Sequence, residues 1–198
     1  MDLPETGSRV GSPPIDPRTS KRLQWLLGAR LALSLLSLGI AIGLDGLGRE
    51  LLADARRGLY YTVGFAFAAT LVSIVLLARV RNVQRFAAAQ IATDVAIVSA
   101  LVQFSGGRES VFTFLYVLVT VYGAVLFERR GALMAACLSS FGYGVVLFGV
   151  NNGLFVGYGS SGGRVSIGVL AAVWGVQVGA LLLVGVLASV LAGELQRT

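Results

Sequence analysis

Residues 166–192 read SIGVLAAVWGVQVGALLLVGVLASVLA, a run without one charged side chain. A helix of this length reaches about 40 Å at ~1.5 Å per residue, more than the ~30 Å hydrocarbon core of a bilayer. Lipid offers no hydrogen bonds, so a segment this continuous satisfies its backbone internally, as a helix. The period-two alternation of a transmembrane β-strand is absent. Five further apolar runs lie upstream, at 23–44, 59–78, 86–104, 111–127 and 131–150. The expected fold is all-α, a polytopic membrane helical bundle with six transmembrane helices. Residues 1–22, which carry Pro4, Pro13, Pro14 and Pro17, read as a polar, disordered tail. The first run is too long for a signal-peptide core and reads as a retained span.

Composition agrees with the spans. Of 198 residues, 56% are hydrophobic and 13% charged, and the mean hydropathy is +0.80. A soluble domain carries about 25% charged residues, so this chain has too few to cover a water-facing surface. Histidine is absent and Cys137 is the single cysteine. An intrachain disulfide, a Cys/His metal cluster and imidazole base catalysis are therefore excluded. Phosphate-binding loops, a Walker lysine and metal-spaced acid pairs are missing as well. No catalytic residue, cofactor or metal is expected within this chain.

Basic residues set the orientation. Arg9, Arg18, Lys21, Arg22, Arg79, Arg81, Arg85, Arg129, Arg130 and Arg197 fall on one side of the six spans. Arg49, Arg56, Arg57, Arg108 and Arg164 fall on the other. Ten against five places both termini of a multi-pass membrane protein in the cytoplasm. The net charge of +6 is mainly this topological bias, and no nucleic-acid partner is expected. Residues 49–57 suggest a short amphipathic helix in the outer interface. Residues 105–110 form a tight outer turn, and the glycine-rich stretch 151–164 a flexible loop.

Four intramembrane polar residues are candidates for function. Asp94 is the one acid deep in a span, and a buried carboxylate is costly enough to need a reason. Gln90 precedes it by one helical turn, on the same face. Arg30 is the one cation deep in a span, at a depth matching Asp94, so an Arg30–Asp94 pair is feasible. Gln177 lies between Gly175 and Gly179, a small-xxx-small pattern that suits a helix-packing or homodimer surface. Tyr116, Tyr122 and Tyr158 read as interface aromatics or packing, and Cys137 as an inert packing residue.

From Gln90 the chain reads QIATDVAIVSALVQFSGGRESVFTFLYVLV, and later Glu128-Arg129-Arg130-Gly131-Ala132. This stretch resembles the six-helix membrane sensor of bacterial two-component histidine kinases, especially the type IV pilus-regulating and nitrogen-regulation-like group. The resemblance is carried by Gln90 and Asp94 on span three and by the outer turn of Gly106, Gly107 and Ser110. The aromatic Phe114-Leu115-Tyr116, the basic turn and Arg30 complete it. Val111 stands where such sequences often have proline.

The resemblance implies a sensory input module that passes a signal through the sixth span to cytoplasmic PAS and kinase domains absent from this chain. The parent protein would be a histidine kinase, a transferase. Residues 23–192 would be the sensor and 193–198 the start of a cytoplasmic signalling helix. Expected partners are the lipid bilayer, a second copy in a homodimer and a membrane-embedded protein ligand. A response regulator would be reached only through the missing domains. The alternative is a small polytopic transporter or channel subunit using Asp94 and Gln90. The absence of proline after Pro17, and so of proline-broken spans, speaks against it.

Overall fold

A computed structural model of the protein describes residues 28, 35–36, 38–39, 42–43, 53–77, 83–158 and 164–195, the side chains of 53, 77, 83–84, 125–129 and 192–195 excepted. Among these residues the regular structure is entirely helical. Helix α1 is Ala53–Leu77, α2 is Val83–Phe104, α3 is Leu115–Asn151 and α4 is Ile167–Leu195. Two 3₁₀ turns, Gly107–Glu109 and Val111–Phe114, join α2 to α3. The few described residues of the first apolar run are helical too. Arg30 and residues 1–22 lie outside the described residues.

Four stretches are long and apolar enough to cross a membrane: Asp54–Leu76, Arg85–Phe104, Arg130–Asn151 and Ile167–Leu191. A shorter apolar helix covers Val111–Ala124. The protein is a membrane protein with an all-helical fold. Exposed Leu71, Val75, Phe141, Val176 and Leu187 make the outside of the bundle apolar, as a lipid-facing surface requires.

Helix α3 folds back on itself. Its 37 residues would extend about 55 Å if straight. Yet a Cβ placed on Gly123 would lie 2.7 Å from the Cβ of Ala135, twelve positions on, where a straight helix puts about 18 Å. The rings of Tyr116 and Tyr143 also lie 6.0 Å apart. The chain therefore doubles back, and α3 is a hairpin of two abutting arms around the Glu128–Arg130 turn. Small residues permit this approach: the Gly131 carbonyl oxygen lies 3.1 Å from the Cβ position of Gly123. The separate runs 111–127 and 131–150 thus form two antiparallel arms joined without an irregular loop.

The core forms where α2, both arms of α3 and α4 meet, around Val98, Leu101, Leu115, Tyr116, Val119 and Leu181. Helix α1 adds Leu59 and Val63 from one side. Hydroxyls in the bundle are mostly satisfied by their own helices. Thr70, Thr120 and Ser140 donate to the carbonyls four residues back at 2.7–2.9 Å, which makes them tolerable in an apolar medium.

Two expectations need correction. The interfacial helix at 49–57 is not a separate element where it is described: from Ala53 onward its residues belong to α1, which runs unbroken into the span. Its ion pair, Arg57 with Asp54 at 3.8 Å, is fully in the solvent-exposed range and contributes little. Cys137 is exposed on the outside of α3 rather than packed. Residues 44–52 and 196–198 lie outside the described residues.

Candidate functional site

Helix α2 carries Gln90 and Asp94 one turn apart, and each is only 4% exposed. The N-terminal arm of α3 brings Tyr122 to them, and its hydroxyl donates a hydrogen bond to Oδ2 of Asp94. A charge-assisted bond of this kind is what makes a carboxylate tolerable in a low-dielectric interior. Gln90 Oε1 is buried and accepts no hydrogen bond among the described residues. An unsatisfied buried carbonyl costs about 1–3 kcal/mol, so this packing leaves a polar demand unmet beside Asp94. Arg30, the expected partner of Asp94, lies outside the described residues.

A second polar layer crosses the middle of the bundle. Ser99 of α2 and Tyr116 of α3 share a hydrogen bond of 2.8 Å between hydroxyls. Gly142 lets the opposite arm close over them, since a Cβ there would lie 2.7 Å from Ser99 Oγ. Trp174 of α4 donates from Nε1 to the Ser140 carbonyl at 2.9 Å, seated on Gly144. Three helices are thereby linked through directional bonds, each of which specifies a register rather than only adding cohesion.

The outer turn is a built cap. Gly106 and Gly107 take φ of 120° and 59°, which side-chain-bearing residues adopt rarely. Ser110 accepts from Phe112 N at 3.1 Å, capping the second 3₁₀ turn, and bonds the Ser105 hydroxyl. Phe112 is driven fully into the core beneath it. The Gly-Gly-x-x-Ser-x-Phe pattern thus turns the chain and plugs that end of the bundle.

The expected small-residue surface on α4 behaves differently along its length. Gly175 and Gly179 have nothing among the described residues within 4 Å of their Cβ positions, and Gln177 is half-buried. The close crossing within the chain is made by Gly185. A Cβ there would meet Thr120 Cγ2 at 3.4 Å and the Ala132 carbonyl at 3.5 Å, one from each arm of the hairpin. Sequence reading missed Tyr122, Ser99 and Trp174 as members of this network, whereas Gly185 belongs to the small residues of the sixth run that were expected to pack closely. Depth was the available signal: Tyr122 lies as far from the basic turn as Asp94 lies from the start of its span.

Among the described residues no cluster of acids and cysteine has metal-binding geometry. The arrangement defines a helical membrane domain whose buried polar bonds fix how its helices pack. The chain belongs to the PilS-like transmembrane domain family, whose model matches residues 15–198. This match confirms the resemblance carried by Gln90, Asp94 and the outer turn. No curated protein and no solved structure matches the chain.

Proposed function

We propose that the chain is the membrane-embedded sensory input module of a two-component sensor histidine kinase. The observation that carries this reading is the PilS-like transmembrane match across residues 15–198. The buried Asp94–Tyr122 bond supports it, because it offers a polar contact that two helix packings would satisfy unequally. In this reading the chain crosses the inner membrane six times with both termini in the cytoplasm, and works as a homodimer. A ligand or membrane partner favours one packing over another, and only its differential affinity for the two drives the change. Helix α4 carries the result toward cytoplasmic PAS and kinase domains. The chain itself binds and transmits and performs no chemistry.

The test joins the chain to the cytoplasmic core of a histidine kinase and reads autophosphorylation in nanodiscs. Asp94→Asn and Tyr122→Phe are expected to move kinase output several-fold in the same direction. Ser189→Ala, which removes a hydroxyl bonded only within α4, is expected to leave it unchanged. Output indifferent to all three would refute a sensory role for the polar cluster. Proton or solute flux in proteoliposomes, abolished by Asp94→Asn, would favour the transporter alternative.

A further inference from the structure

The end of the bundle opposite the α3 reversal contains a cavity of about 250 Å³. Its floor is apolar: Val146 and Leu147 from α3 and Leu170 from α4 line it, and all three are buried. Its rim is basic: Arg108 projects from the outer turn and Arg164 from the segment leading into α4. Glu109 also lies on the rim, so two guanidinium groups face one carboxylate. Asn151 adds a fixed donor. Its Oδ1 accepts from Val165 N at 2.9 Å, which ties the segment leading into α4 to the end of α3 and leaves the carboxamide NH₂ to donate.

Gly157 lines the cavity, and a Cβ there would come 3.2 Å from Val150 Cγ1. Tyr158, also in the lining, is held by its ring contact with Phe104 at 5.8 Å. Gln103 of α2 donates to the Val156 carbonyl at 2.6 Å and pins the same loop. The cavity is therefore bounded by three elements linked to one another rather than by one loose loop. An apolar floor with a few convergent polar groups is the usual make-up of a small-molecule site.

We propose that this cavity binds a small amphiphile with an anionic head and a short apolar tail. Arg108 and Arg164 hold the head, by the planar, charge-assisted geometry that guanidinium groups offer carboxylates and phosphates. Val146, Leu147 and Leu170 receive the tail. A free carboxylate or phosphate ester and the head of an anionic lipid share this chemistry. The proposal concerns binding, so it stands or falls separately from the kinase-output test of the sensory reading.

The test uses the full chain in phosphatidylcholine nanodiscs with radiolabelled hexanoate as probe and protein-free nanodiscs as blank. Saturable binding is expected, at least tenfold weaker in Arg164→Ala and in Arg108→Ala. Arg164 is exposed, so its removal leaves the fold intact, and Arg108→Lys should restore much of what Arg108→Ala loses. Hexanol, with the same tail and no charge, is expected to compete at least tenfold less well. Acetate should also be weaker, by about fourfold for each methylene removed from the floor. Replacing part of the phosphatidylcholine with phosphatidylglycerol separates the sources. Competition with hexanoate supports a head group supplied by the bilayer, and its absence supports an anion supplied from water. No saturable binding above the blank, or binding by both arginine-to-alanine variants as tight as that of the unaltered chain, overturns the proposal.

Discussion

Asp94 and Tyr122 form the contact most open to a direct measurement. Tyr122→Phe removes the donor while keeping the ring, and should destabilise the bundle by about 1–2 kcal/mol. Asp94→Ala combined with Tyr122→Phe should cost less than the sum of the two single changes, in a double-mutant cycle read by unfolding in mixed micelles. Strict additivity would mean that the two side chains do not interact. Asp94 was legible in the sequence because a lone acid in an apolar run has no other explanation than cost or use. Its donor was not, because a tyrosine some residues from a span end looks the same whether it anchors at the lipid interface or turns inward. The orientation of Tyr122 is set by how the α3 arms roll against α2, which no local pattern records. Which small residue of α4 makes the crossing was hidden for a similar reason: Gly185 is one glycine among several, and only the crossing point distinguishes it.

Hairpin α3 shows what the apolar runs revealed and what they left out. The turn was legible from the charges at Glu128, Arg129 and Arg130, which interrupt two stretches of lipid-compatible length. How tightly the arms close was not, since it depends on which small residues end up opposite one another. Gly123→Val should pry the arms apart at Ala135, with a loss of about 1–3 kcal/mol typical of overpacking, measured by thermal unfolding in micelles. An equal change at Gly175, where nothing among the described residues lies near, should leave the monomer's stability within about 0.5 kcal/mol. Helix α4 carries a further expectation. One alanine inserted after Gly193 rotates all that follows by about 100°, whereas seven return it close to the coiled-coil phase. In a kinase fusion the first should change output and the second restore it. Identical output from both would mean that helix orientation carries no signal.

Across the whole molecule, the proposed six-span topology has an even number of passes and so places the two ends on one side. With Cys137 replaced by serine, a cysteine at Asn152 should react with an impermeant maleimide added outside cells. One at Arg130 should react only after permeabilisation. Both positions are solvent-class ends of the hairpin, exposed or nearly so in the bundle. The reverse pattern would invert the topology read from arginine and lysine. Orientation was legible because it is written in side-chain charge, whereas the outer cavity was not, because glycines, an asparagine and two arginines from three separate segments meet there only after folding. The crossing at Gly185 divides α4 unequally. About 27 Å of rod lies toward Ile167 and about 15 Å toward Leu195. Were α4 to pivot there with the Trp174–Ser140 bond released, it would act as a lever with its long arm on the Ile167 side. A sideways travel of about 2 Å beside the cavity would emerge as only about 1 Å at the opposite tip, with force increased in the same proportion. Gearing of this kind trades reach for push, which suits the proposed sensory role, in which α4 shifts a neighbouring coil rather than sweeping across a distance.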